Sequence, residues 1–159
     1  MIGYGAYGLV YKGRFREETV VVKKVSSESA NDEDCFRKEV KLLKSLKHKN
    51  VVEFKGFCSS PVSIMLEYMC FDFAPFKLSK EVCNLNDFLN YMDKIDGFGS
   101  FDEKLLLRIG HQVSSGLAYL HGKETAHRDL KAKNIEEGAQ NNNVCTILTG
   151  RSIFAEHFY

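Results

Sequence analysis

His127-Arg128-Asp129-Leu130-Lys131-Ala132-Lys133-Asn134 divides this chain into two unlike parts. Upstream the pattern is helical. Leu106, Ile109, Val113, Leu117 and Leu120 recur at spacings of three and four, which predicts a helix from near Asp102 with Gly122 as its stop. Asn84 to Ile95 predicts a shorter helix, ended by Gly97 and Gly99. Downstream the character changes. Ile135 is followed by Glu136-Glu137-Gly138-Ala139-Gln140 and three asparagines, and only then by an apolar run from Val144 to Leu148. Two adjacent glutamates cannot form a buried strand without partners. Residues 135–159 are therefore expected to be a divergent, poorly ordered tail with at best one short strand at its end.

Further toward the N-terminus the signals are those of strands. Residues 9–12 and 19–25 are short runs rich in β-branched side chains, separated by Gly13 and a charged stretch, and predict an antiparallel hairpin. A helix follows, capped by Asn31 or Asp32, with Phe36, Val40, Leu43 and Leu46 on one face. Residues 51–57 and 62–69 read as two more strands about the turn signal Ser59-Ser60-Pro61. Strands with one helix come first and helices later, an α+β arrangement of two unequal lobes.

Three groups of residues carry chemistry. Gly3-Tyr4-Gly5-Ala6-Tyr7-Gly8 has the spacing G-x-G-x-x-G. A flexible turn would satisfy it, and so would a dinucleotide loop, for which Glu28 lies at a suitable distance. The dinucleotide loop, however, opens a helix, whereas Gly8 runs into the strand-like Leu9 to Lys12. A glycine loop between strands can fold over phosphates, because without Cβ its backbone N–H groups approach the oxygens closely. Lys23 ends the apolar run Val20-Val21-Val22. Such a lysine either snorkels at a strand edge or meets an anion. Glu39 lies at i+3 from Phe36 and i−4 from Leu43, so it points toward the core and offers Lys23 a partner. The stretch at 127–134 is the third group.

Together, in this order, the three groups resemble the protein kinase family, including its H-R-D-L-x-x-x-N catalytic loop, a combination the family template sets out. The resemblance covers residues 2 to about 134. It implies an antiparallel N-terminal sheet lobe with one helix, followed by the first part of a helical C-terminal lobe. Residues 1–69 would be the first lobe and start of the hinge, and 70–134 a partial second lobe through the catalytic loop. Gly3, Gly5 and Gly8 would cover the phosphates of ATP, Lys23 would hold the α- and β-phosphates, and Glu39 would pair with Lys23. Val10 and Val21 would flank the base, and Leu66-Glu67-Tyr68-Met69 resembles the hinge. Asp129 would accept the proton of the substrate hydroxyl, Lys131 would contact the transferring phosphate, and Asn134 would help to hold Mg2+. His127 and Arg128 would orient the loop. Lys131 is similar to the serine/threonine-type loop and to the tyrosine-kinase-like group.

The chain departs from the family pattern at both ends. Ile2 is all that stands for the strand before the glycines, so one flank of the loop is expected to be poorly anchored. No D-F-G occurs, and Leu148 stands where the aspartate belongs. Leucine cannot ligate magnesium, which wants oxygen. Glu136 and Glu137 replace apolar strand residues, and the activation segment and A-P-E are expected to be missing. ATP-dependent transfer to protein serine or threonine is thus the family reading. Beside it stand a non-catalytic, pseudokinase-like module that binds nucleotide or partner, and an incomplete fragment without function of its own.

Composition sets the outer limits. Twenty-two Lys and Arg against 21 Asp and Glu leave a net charge of +1, which speaks against nucleic acid or an anionic membrane as partner. The five cysteines are odd in number and form no CxxC, so reduced thiols in a cytoplasmic setting are expected rather than zinc or a disulfide framework. No signal peptide or membrane span is expected, and 159 residues suit one domain.

Overall fold

The computed structural model describes residues 3–5, 8–24, 30–69, 82, 84–96, 103–137 and 144–146. Its N-terminal part is a five-stranded antiparallel sheet in the order β1-β2-β3-β5-β4. The strands are β1 (Gly3–Gly5), β2 (Gly8–Phe15), β3 (Glu18–Lys24), β4 (Phe54–Ser59) and β5 (Val62–Glu67), with α1 (Ala30–Ser45) between β3 and β4. Helices α2 (Leu85–Asp96) and α3 (Glu103–Gly122) follow, then the two-stranded ladder of β6 (Ile135–Glu137) and β7 (Val144–Thr146).

The β2–β3 hairpin turns at Arg16 and Glu17, both with positive φ (48° and 71°). Those are the angles of a two-residue turn whose twist matches that of its strands. Gly13, read as part of the connection, instead lies inside β2 opposite Val20. A second correction concerns β1. Gly3, Tyr4 and Gly5 pair with Val10, Leu9 and Gly8, so the flank of the glycine loop is anchored. Backbone pairing needs no side chain, which is why three residues suffice where the sequence pattern showed no strand.

Helix α1 buries the predicted stripe. Phe36, Val40, Leu43 and Leu46 pack with Val51 and Ile64, and Leu120 of α3 joins them. At ~25 cal/mol per Å2 of apolar surface, each such side chain contributes about 1.5–3 kcal/mol. Helix α2 starts at a cap predicted by position: Asn84 Oδ1 accepts the Asp87 N–H (3.0 Å) while Asn84 Nδ2 donates to Asp87 Oδ2 (2.9 Å). Helix α3 ends at Gly122, as expected, but its buried face is rotated. Ile109, Gly116 and Leu120 are buried and Leu105 and Val113 pack beside Ile109, whereas Leu106 is 46% exposed.

The reading of the segment after Asn134 also needs correction. Ile135, Glu136 and Glu137 do form a strand, paired with Thr146, Cys145 and Val144. The Ile135 side chain is buried against Ile109, and this contact seats the strand although two glutamates follow. Ile2 and Leu148 lie outside the described residues.

Candidate functional site

Lys23 lies opposite Val10 of β2 and Ile64 of β5. Directly opposed residues share a face of a sheet, so Lys23 lies with Val10 and Ile64 on the side that α1 covers. From α1 comes Glu39, only 4% exposed. The two side chains act on each other, yet burial dominates both. It pushes the Lys23 ammonium down and the Glu39 carboxyl up, and each partner offsets the other's shift in part. A cation in such partly buried surroundings gains from an anion nearby, and Glu39 supplies one.

The lower group is built locally. Arg128 has φ 59°, and across it the Asp129 N–H donates to the His127 carbonyl at 2.8 Å, a tight three-residue turn in a left-handed conformation. His127 is buried and anchors that turn. Beyond it the Lys131 ammonium donates to both Asp129 carboxylate oxygens, at 3.0 and 2.8 Å. A 3-10 turn over Ala132–Asn134 brings Asn134 back under the loop. Its Nδ2 donates to the Asp129 carbonyl (2.7 Å) and to Asp129 Oδ2 (3.0 Å). The carboxylate is therefore held from two sides. With Nδ2 engaged twice, Oδ1 is the atom of Asn134 left to meet a cation.

Glu67 ends β5 and is clamped to the chain before β4. Its N–H donates to the Glu53 carbonyl (2.9 Å), and its carboxylate accepts the Glu53 N–H (2.7 Å). Lys55 in turn bridges Glu53 (3.1 Å) and Glu18 (2.8 Å). Met69 is buried with Val52 and Leu66, and the Tyr68 ring lies 4.1 Å beneath the Lys12 ammonium. The hinge-like segment is thus tied to both β2 and β4. Burial lifts the Glu67 carboxyl above its ordinary range.

The structure brings the expected residues together as two groups, Val10–Lys23–Glu39 above and Asp129–Lys131–Asn134 below, with Glu67 and Met69 at the exit of β5. Gly3, Gly5 and Gly8 lie on the β1–β2 hairpin whose second strand carries Val10. Sequence reasoning missed two features. Glu136 is pushed up to about 8, first by burial and then by the Glu67 carboxylate, so a carboxyl of one lobe is sensed by the other. Gly116 is the second. A Cβ there would come within 2.5 Å of the Asn50 carbonyl oxygen. Close by, the Tyr119 hydroxyl accepts the Lys47 N–H (2.9 Å), and its ring stacks on His48 at 4.8 Å. These contacts seat the segment after α1 on α3 and set one lobe against the other. The available signal was a glycine inside an amphipathic helix, where it costs about 1 kcal/mol relative to Ala unless something must approach closely.

A family model described as protein tyrosine and serine/threonine kinase matches residues 1–147. The chain belongs to this protein kinase family. Among curated relatives, it is 32% identical over 135 residues to the serine/threonine-protein kinase A-Raf of Homo sapiens, covering 84% of this chain and 20% of that protein. Similarity to the MAP3K epsilon protein kinase 1 of Arabidopsis thaliana is 38% over 140 residues, covering 84% of this chain and 9% of that protein. The tyrosine-protein kinase Btk of Drosophila melanogaster is 32% identical over 142 residues, covering 88% and 16%. This kinase chain therefore spans a fifth or less of those relatives. Among its described residues, no helix is long and apolar enough to cross a membrane.

Kinases of this family use ATP and Mg2+. The residues present fit the nucleotide: apolar Val10 and Val21 beside the Lys23 ammonium offer a wall for a base and a cation for phosphates. They fit the metal poorly. Magnesium draws most of its oxygens from water and phosphate but is held by one or two protein carboxylates, and Leu148 stands where the family has such a carboxylate. Asn134 Oδ1 alone does not make such a shell.

Proposed function

We propose that this kinase domain binds ATP between β2, β3 and the segment Glu67–Met69, and that it passes a phosphoryl group to serine or threonine hydroxyls of a protein in the cytoplasm. The frame is a first lobe over residues 1–69 and a second over 70–134, with 135–159 as a divergent segment. Gly3, Gly5 and Gly8 cover the phosphates with backbone N–H groups, Lys23 holds them, and Glu39 keeps Lys23 charged. Val10 packs on the base, and the backbone of Glu67 and Met69 reads its edge. Asp129 accepts the hydroxyl proton as the oxygen attacks. Lys131 stabilises charge on the phosphoryl oxygens, and Asn134 supplies Oδ1 to a cation.

One observation carries this reading: the Asp129 carboxylate is aimed by two donors, the Asn134 amide at 3.0 Å and the Lys131 ammonium at 2.8 Å. A positioned base with a cation beside it is what in-line transfer to a hydroxyl requires. With a leucine at 148 in place of an acid, the metal clamp is weak. A clamp of about 3–4 kcal/mol corresponds to turnover slower by roughly 10²–10³-fold. That deficit favours a second reading in which the domain binds nucleotide without turnover.

Transfer of radiolabelled phosphate from ATP to a generic protein acceptor, with thermal shift in parallel, separates the two. Transfer that Asp129→Asn abolishes, with the ATP-induced shift retained, establishes the first reading. A shift without transfer, lost in Lys23→Ala, establishes the second. Absence of any shift at saturating ATP rejects both.

A further inference from the structure

A divalent cation bound beside a nucleotide is held by charged oxygens of the protein, and the acids of the proposed site are already engaged. Asp129 takes the Lys131 ammonium on both carboxylate oxygens, at 3.0 and 2.8 Å, and the Asn134 amide on Oδ2 at 3.0 Å. A dication on the same carboxylate would lie within a few ångströms of that ammonium, and charges of one sign so close repel. Asn134, with Nδ2 turned to Asp129, keeps a single neutral amide oxygen. Glu39 is buried and acts on Lys23. Glu136, next but one after Asn134, follows the buried Ile135 into β6 and is pushed up to about 8, first by burial. Near neutral pH it carries a proton rather than a charge. Leu148, in the place of the family's aspartate, has no side-chain oxygen to offer.

The positive charge of the proposed site belongs instead to the protein. Lys23 on β3 and Lys131 in the loop are its two ammonium groups, and the Lys131 side chain is 52% exposed, within reach of an incoming ligand. In the family the metal neutralises phosphate charge. Metal-free ATP carries more negative charge than its Mg2+ complex, and an ammonium acts on phosphate as a point charge that responds to that total. With the metal's carboxylate lost and both lysines retained, the more highly charged free nucleotide is the better match. Magnesium in solution then competes with the protein for the triphosphate.

We propose that this domain binds ATP as the metal-free triphosphate, with the Lys23 and Lys131 ammonium groups in place of a divalent ion. The proposal rests on the reading of the cleft as a nucleotide site and adds the chemical form of the ligand. Binding therefore survives chelation, and Mg2+ weakens it rather than tightening it.

Isothermal titration of the full chain with ATP tests this, in excess EDTA and in excess Mg2+ at one ionic strength, which holds screening constant. The affinity in EDTA is expected to equal that in Mg2+ or to exceed it by several-fold. Lys131→Ala and Lys23→Ala should each weaken binding in EDTA by about fivefold or more, the loss of one charge-assisted contact to phosphate. The Lys131 variant changes a half-exposed side chain and carries the test alone if the Lys23 variant fails to fold. ATP that binds only with Mg2+, or more than about twofold tighter with it, overturns the proposal and leaves the nucleotide site standing. Tightening by Mg2+ that Glu136→Gln removes overturns it too, by making Glu136 the missing ligand. An affinity in EDTA unchanged by Lys131→Ala overturns the assignment of that lysine. Absence of binding in both buffers overturns the proposal together with the reading of the cleft on which it rests.

Discussion

The Lys23–Glu39 pair and the Asp129–Lys131–Asn134 loop are held by different physics. Lys23 and Glu39 are sixteen positions apart, on a strand and a helix, and meet because α1 packs its Phe36–Leu46 stripe on the sheet. Their protonation is governed by burial before it is governed by each other. Asp129, Lys131 and Asn134 lie within six consecutive residues and hold one another through direct hydrogen bonds at 2.7–3.0 Å. The upper pair is a product of tertiary packing. The lower loop is a local motif that needs the rest of the chain mainly to seat His127 and Ile135. Damage to packing should therefore disable the first and spare the second.

The sharpest test removes one member of the upper pair. Glu39→Ala leaves a buried ammonium uncompensated and should lower unfolding free energy by about 3 kcal/mol, whereas Lys23→Met/Glu39→Leu should be near neutral. Urea titration of the three proteins checks this, and equal losses in both variants would break the comparison. Glu136 gives a comparable effect that depends on pH. Its folded value of about 8 lies above the ordinary 4.5, so its contribution to stability is complete below about pH 4.5 and is lost as pH rises through 8. Glu136→Gln should therefore be more stable than the parent at alkaline pH and equal to it in acid, as read by melting curves across pH.

Gly116→Ala comes next. A methyl group 2.5 Å from the Asn50 carbonyl oxygen forces the lobes apart, for about 1–3 kcal/mol and a weakened ATP-induced thermal shift. The smallest effect belongs to the lower loop. Asp129→Asn removes an ion pair whose lysine side chain is 52% exposed, so stability should change by less than about 1 kcal/mol in the same titration. A larger loss would mean that the loop is not local at all.

Much of this was legible beforehand. The α1 stripe, the Asn84 start of α2 and the Gly122 end of α3 all follow from short-range pattern, which neighbouring residues enforce. The errors lie where partners are distant in sequence. Ile135–Glu137 looked unfit for a strand because β7 and Ile109 supply its pairing and packing. Leu106 looked buried because a stripe shifted by one residue fits the helical period almost as well, and only the contacts of Ile109 and Leu105 choose between them. Arg16 and Glu17 carry no mark of the left-handed backbone that strand twist imposes on them.

The amino-acid order by itself determined the family and most of the elements, since both rest on residues near one another along the chain. Tertiary structure alone decided that burial outweighs pairing for Lys23 and Glu39, that a glycine in α3 must admit Asn50, and that a carboxyl at 136 is pressed toward neutrality. Those outcomes depend on burial and on approach between remote segments, and neither quantity exists until the chain has folded.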